Sequence, residues 1–295
     1  IIYLSYEMAK RGARVVVYGP YPRSGEFEVR DGVEWRNVSD FDPGDDPGAF
    51  IAHRGPQVLG EAWARDKDVW VWHHDHGYPD HFDWKLHAKR ARHLFVSRWQ
   101  REELARAAGV GPDELRGTVI GNGIPPLEYT PNGAVRNPLR VYYASQPQRG
   151  LVDLLRAWPY VLSEEPRAEL WVYYGWNTLE FLARSGHGHM WNTIRDVNEA
   201  LRRTTNVRTP NRVPQARLAA ESMTHGILAY PTSYPEVSCI ATMRAAAAGN
   251  IVVTTDSGAL PETLPDKTYM LRGEGLSHEK FADAKAMQER LKEKL

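Results

Sequence analysis

The chain has 295 residues, with 37 acidic and 37 basic side chains and a formal net charge of zero. No global field draws it to nucleic acid, which makes a nucleic-acid partner unsupported, and no apolar run approaches the roughly 20 residues of a membrane span. Cys239 is the single cysteine, so no internal disulfide forms, and with no signal peptide visible the cytoplasm is the default location.

Residues 1–10 read as a helix stopped by Arg11-Gly12, and residues 14–18 as a buried strand. An α/β domain ordinarily opens with a strand, so an opening strand and loop are expected to be missing from the chain as given. Strands are predicted over 33–38, 49–53, 68–73 and 93–97, with a turn-rich loop at 40–48. Helices are predicted over 84–92 and 100–108. Pro125-Pro126 and Thr130-Pro131-Asn132-Gly133 form a breaker-rich linker, which sets the domains at 1–126 and 134–276. In the second set, strands are predicted over 139–144, 168–174, 226–230 and 251–254. Helices are predicted over 150–163, 190–203, 215–223 and 239–248, and residues 277–295 read as a charged amphipathic C-terminal helix. The helix at 190–203 carries Trp191, Ile194, Val197 and Leu201 on one face.

Alternating strands and helices imply an α/β protein with two Rossmann-like, doubly wound parallel sheets. Ligands of such sheets bind beyond the carboxyl ends of strands, and two such domains would face a cleft. The segment from Tyr230 to Gly249 is the most informative. A strand runs into a loop rich in Pro, Ser and Thr, and a helix starts near Ser238, a plausible N-cap. Backbone N–H groups there suit a diphosphate, and the Glu236 carboxylate suits sugar hydroxyls. By pattern alone, an ordinary helix start with a surface glutamate is an equal reading.

The segment is similar to the Glu-x7-Glu region of family 4 retaining glycosyltransferases, in Pro231, Glu236, Ser238, Ile240 and Ala245 to Gly249. Val253-Thr254-Thr255 and Gly258-Ala259-Leu260-Pro261-Glu262 resemble the family's next strand and its Gly-x-x-x-Glu element. Ser145-Gln146-Pro147-Gln148-Arg149-Gly150-Leu151 resembles a variant opening of its second domain, Asn122-Gly123-Ile124 its interdomain motif and Phe95-Val96-Ser97 the strand before it. The resemblance implies a GT-B fold. It implies that Glu236 contacts the donor sugar, that backbone groups of Ser238, Cys239 and Ile240 hold the diphosphate, and that Arg149 pairs with the phosphates. Arg212 and Val213 would lie beside the base.

Two positions depart from the family. Arg244 stands where the second Glu accepts hydrogen bonds from ribose, and an arginine only donates; it can pair with a phosphate, with Glu236 or with ribose oxygens. Ala144 replaces a frequent Arg, leaving Ser145-x3-Arg149 as the clamp.

In the first domain, Trp72-His73-His74-Asp75-His76-Gly77 ends a strand. Three His and an Asp invite a metal reading, but no Cys pair or helical His-x3-His supports it, and no metal is expected. By resemblance this loop faces the donor sugar, and His74 and Asp75 join Glu236 as catalytic candidates. Lys85, His87, Lys89, Arg90, Arg92 and His93 make a basic stretch. It reads first as a solvated helix face, and second as a surface for peripheral membrane contact.

The resemblance implies a metal-independent, retaining, hexosyltransferase-like enzyme with a UDP-, GDP- or TDP-sugar donor and no cofactor. The sequence does not identify the acceptor: a polysaccharide or other glycan, a lipid-linked glycan, a protein, a small molecule and a modified nucleic acid all stay open. Alternatives are a catalytically weak or inactive sugar-nucleotide-binding protein and a sugar-nucleotide epimerase.

Overall fold

The structure, a computed structural model, describes residues 2–45, 48–77, 83–130, 133–265 and 269–271. The helix expected over 277–295 lies outside the described residues. The chain forms two compact units, one of Ile1–Phe95 with Arg101–Val119, the other of Val96–Gln100 with Ile120–Leu295.

The first unit runs α1 (Ile2–Lys10), β1 (Val15–Gly19), β2 (Phe27–Arg30), β3 (Val33–Asn37), β4 (Phe50–His53), β5 (Val69–Trp72), α2 (Trp84–His87), β6 (Arg92–Phe95), α3 (Arg98–Ala108, whose first three residues belong to the second unit) and β7 (Gly117–Val119). Strands β4-β5-β6-β7 form a four-stranded parallel sheet, and β1-β3-β2 a separate three-stranded one. Strand β2 pairs antiparallel with β3, which the alternating pattern did not predict. It is exposed along its whole length, so it carries no buried face to read. Its signal is the turn: Asp31 and Gly32 both have positive φ, 50° and 79°, as a two-residue hairpin requires.

The helix expected over 84–92 is a single turn, Trp84–His87, capped by Asp83, whose side chain accepts from the Leu86 N–H. Arg92 already belongs to β6. The chain turns early because Ala88 and Ala91 are buried and the His93 ring, also buried, reaches the Ala88 carbonyl oxygen at 2.6 Å. That bond makes His93 Nε2 the donor. A neutral His93 then accepts at Nδ1, and His73 Nε2 donates to it at 3.0 Å. Histidines 73 and 93 thus join neighbouring strands inside the first unit.

The second unit runs β8 (Asn137–Tyr143), α4 (Leu151–Glu164), β9 (Glu169–Val172), α5 (Asn177–Arg184), α6 (Met190–Arg203), β10 (Val207–Arg208), α7 (Gln215–Ser222), β11 (His225–Tyr230), α8 (Ile240–Ala247), β12 (Ile251–Thr255), α9 (Leu260–Thr263) and β13 (Met270–Leu271). All its strands are parallel, in the order β10-β9-β8-β11-β12-β13. Its core packs Leu151, Leu154, Leu155 and Trp158 of α4 and Val197 of α6 against Leu170, Leu228 and Tyr230. Each such leucine contributes about 1.5–3 kcal/mol by leaving water. Of the apolar face expected on α6, Val197 is buried and Trp191 is exposed.

The strand order reverses between β8 and β11. The chain winds from β8 through α4 toward β9, and from β11 through α8 toward β12, so α4 and α8 lead off to opposite faces of the sheet. Such a switch point leaves a crevice at the carboxyl ends of the two strands. Residues 144–150 and 231–239 are the two loops that border it.

Candidate functional site

The loop after β8 carries Ser145 and Arg149, and the loop after β11 carries Glu236. The fold brings these three residues together. Arg149 Nη1 donates to Glu236 Oε1 at 2.8 Å, and the side chains are only 24% and 7% exposed. Tyr230, the last residue of β11, donates its hydroxyl to the same Glu236 oxygen, and Ser145 Oγ donates to the Tyr230 oxygen at 3.3 Å. The Arg149 guanidinium lies over the Tyr234 ring, 3.9 Å from its centroid. Burial opposes the charge of Arg149, and the neighbouring Glu236, Tyr230 and Tyr234 outweigh it, so its pKa is raised and the cation is secure.

Two glycines make this geometry possible. Gly150 has φ of 102°, and a Cβ there would lie 2.1 Å from the Pro231 carbonyl oxygen, so the two crevice loops touch backbone to backbone. Gly258 has φ of 65° and bridges to Glu236 in parallel register, and the Ala259 N–H donates to the Glu236 carbonyl at 2.6 Å. A Cβ on Gly258 would sit 2.4 Å from that carbonyl oxygen. The Glu236 backbone is therefore clamped by the segment after β12.

Helix α8 starts one residue later than the sequence indicates. Cys239, not Ser238, is at the N-cap, with no side-chain hydrogen bond. Ser238 instead offers its carbonyl oxygen to Asn122 Nδ2 at 3.1 Å, which ties the Asn122-Gly123-Ile124 motif to the second unit's crevice. The helix's first N–H groups, Ile240 onward, still point out of its N-terminus beside Glu236. Burial pushes the Cys239 thiol up to about 12, with Glu236 adding to the shift, so this cysteine is no nucleophile.

Of the partners expected for Arg244, Glu236 is not the one it takes. Its guanidinium hydrogen-bonds Gln215 Oε1 at the start of α7, while Glu236 is held by Arg149. Arg244 thus ties α8 to α7. Arg212 and Val213 lie in the loop before α7, whose backbone passes close to Gly175, and Arg212 is exposed. Glu262, the last residue of the Gly-x-x-x-Glu element, accepts the Arg98 and Trp99 N–H groups at 2.9 and 2.7 Å.

His74 and Asp75 belong to the first unit, at the carboxyl end of β5. Asp75 is half exposed and pairs with Arg54 at 2.7 Å. Arg54 itself has φ of 63°, a strained value for a non-glycine residue. His74 packs on Trp72 and His53, with ring centroids 4.7 and 4.6 Å away. Burial pushes His74 down to about 3 and His53 down to about 4, so both rings are neutral. Among the described residues no three His, Cys, Asp or Glu side chains converge as metal ligands do. In the basic stretch, Lys89 pairs with Glu114, Arg92 with Asp68, and Arg90 donates to the Leu59 carbonyl.

Sequence reasoning missed Tyr230, Tyr234 and the role of Gly150. Tyr230 ends an apolar strand and reads as core. The signal for Gly150 was its place immediately before a helix.

No protein-family model matches the chain, and no curated protein matches its sequence. Solved structures do match its fold. HepE of Anabaena, in complex with UDP-glucose, is 17% identical over 83% of this chain and 70% of that one, with a TM-score of 0.58. A glycosyltransferase of Rickettsia africae is 12% identical over 99% of this chain and 89% of that one, TM-score 0.62. Sucrose-phosphate synthase of Thermosynechococcus elongatus is 13% identical over 99% of this chain and 83% of that one, TM-score 0.67. The fold is α/β of the GT-B type. Among the described residues no helix is long and apolar enough to cross a membrane.

Proposed function

We propose that this chain is a glycosyltransferase that takes a sugar from a nucleoside-diphosphate donor, UDP-sugar first among the candidates, with retention at the anomeric carbon. The observation that carries the reading is the part-buried Arg149–Glu236 pair at the β8/β11 switch point, close in the chain to the N-terminus of α8. A parallel sheet binds ligands there, and a fixed cation next to a helix N-terminus favours a diphosphate. The GT-B fold and its UDP-glucose-bound neighbour support the same class of donor.

In this reading Arg149 and the first N–H groups of α8 stabilise negative charge on the departing diphosphate. The bond from the anomeric carbon to the diphosphate oxygen breaks as the bond to the acceptor oxygen forms on the same face. The acceptor's proton passes to a departing phosphate oxygen, so no protein nucleophile or metal is required. Cys239, held as a thiol, plays no covalent part. Glu236 holds Arg149 in place and lies beside the sugar.

The experiment is nucleotide release from UDP-, GDP- and TDP-sugars with a panel of acceptors. We expect release with UDP-sugars, at least a hundredfold slower in Arg149→Met, the scale of losing one charge-stabilising donor. The product's anomeric configuration, read by NMR, distinguishes retention from inversion. A wild-type protein that binds no nucleoside diphosphate overturns the proposal.

A further inference from the structure

Tyr230 closes β11 inside the core of the second unit, where it is 1% exposed. Packing accounts for its ring, which lies against Tyr143 with centroids 5.9 Å apart, and a phenylalanine would fill the same volume. Packing does not account for its hydroxyl. A buried phenol needs a partner, and a phenylalanine needs none. The hydroxyl points at the one carboxylate that holds Arg149.

The connections run in one direction. Ser145 Oγ donates to Tyr230, Tyr230 donates to Glu236 Oε1, and that oxygen accepts from Arg149 Nη1. Burial raises the Tyr230 pKa well above the ordinary phenol range, so it stays a donor across the physiological range. Arg149 is thus gripped at one guanidinium nitrogen by Glu236 and on one face by Tyr234. A planar fork held at an end and on a face has little orientational freedom left. The side chain is a quarter exposed, and its Nε is buried with no hydrogen-bond partner among the described residues. The exposed quarter of the side chain is therefore the part of the guanidinium that a ligand can reach.

We infer that Tyr230 is a positioning residue for diphosphate binding: through Glu236, and by its own contact with Arg149, it sets the direction in which the Arg149 guanidinium faces the nucleotide's phosphates. This rests on the glycosyltransferase reading. A hydroxyl acting in this way is felt only by a ligand that carries phosphate. One that merely steadies the core is felt equally by every ligand of the crevice, or by none.

The test compares UDP with uridine, by calorimetry and NMR titration, on wild type and Tyr230→Phe, with melting curves for both proteins. We expect UDP to bind about tenfold more weakly to Tyr230→Phe, the scale of one hydrogen bond to a charged group. Uridine affinity should stay unchanged. Equal UDP affinity in the two proteins overturns the inference and leaves the glycosyltransferase reading standing. A matching loss for uridine reduces the hydroxyl to a packing element and also overturns it. A wild type that binds neither UDP nor uridine removes the reading beneath. Wild-type protein labelled at arginine nitrogen supplies a measurement that does not depend on the variant folding. The Arg149 Nε–H signal should move when UDP is added and stay in place with uridine; a signal unmoved by UDP overturns the inference.

Discussion

At the scale of single residues, the candidate site turns on a charged, part-buried pair. Removing one partner of a fully buried pair costs about 3–5 kcal/mol, and because the Arg149 side chain is a quarter exposed the loss here falls at or below the lower end of that range. Glu236→Ala should therefore lower unfolding stability by roughly that amount as well as stopping transfer. Adding Arg149→Ala should restore part of it, and urea titration of the three variants measures this. Additive losses would show that the 2.8 Å contact is not energetically coupled. Arg244 sits in a different relation to the site. Because it bonds Gln215 rather than a carboxylate, Arg244→Glu should leave UDP-sugar affinity undiminished in calorimetry. A tenfold loss would make Arg244 a ligand. The placing of Glu236 and Arg149 in loops at strand ends was legible in the sequence, since each follows a run that reads as a strand. Their bond to each other was not. The two residues are 87 apart in the chain, and no local pattern reports a contact across a switch point.

At the scale of elements, the site is an arrangement of loop ends, and its tolerances are set by backbone. Gly258→Ala places a methyl against the Glu236 carbonyl and forces a left-handed φ on a residue that disfavours it. We expect a loss of about 1–3 kcal/mol or more, visible as a lower melting temperature, together with a marked fall in nucleotide release. A variant that melts and turns over like wild type would show that the clamp from the β12 loop is unnecessary. The sequence revealed most strands of both parallel sheets because each is a short run of β-branched and aromatic residues between turn formers. It hid β2, whose side chains all face outward, and it overextended α2. Basic residues 85–92 keep helical propensity in isolation, but the buried His93–Ala88 hydrogen bond turns the chain first. The N-cap slipped from Ser238 to Cys239 for a similar reason: Ser238 is engaged through its carbonyl by Asn122, a residue far away in the chain.

At the scale of the whole molecule, five histidines among the described residues are held neutral by burial. His73 and His93 are lowered, and His53, His74 and His225 fall to about 4, 3 and 4. In the unfolded chain these rings gain protons as pH drops below about 6.5, whereas in the fold they do not. The unfolded state thus binds more protons, and stability present above pH 6.5 is lost on acidification. For the fully buried rings the slope is up to about 1.4 kcal/mol per pH unit each. Melting temperature should be flat from pH 8 to 7 and fall steeply toward pH 5. A melting temperature that holds or rises toward pH 5 would show that these rings are not buried neutral. Both units contribute, since His225 lies in the second and the others in the first. The sequence flagged the histidines of the β5 loop as candidates for chemistry, but it could not show that His73 lies inside the fold.

The contact of Gly150 with Pro231 has a consequence for how this protein can change over generations. The two crevice loops share one backbone seam, so an insertion in either displaces the other. Changes of length beside Gly150 or Pro231 therefore have to be matched across that contact. New specificities would more readily be acquired in loops outside that seam, such as the turn after β9 that leads into α5.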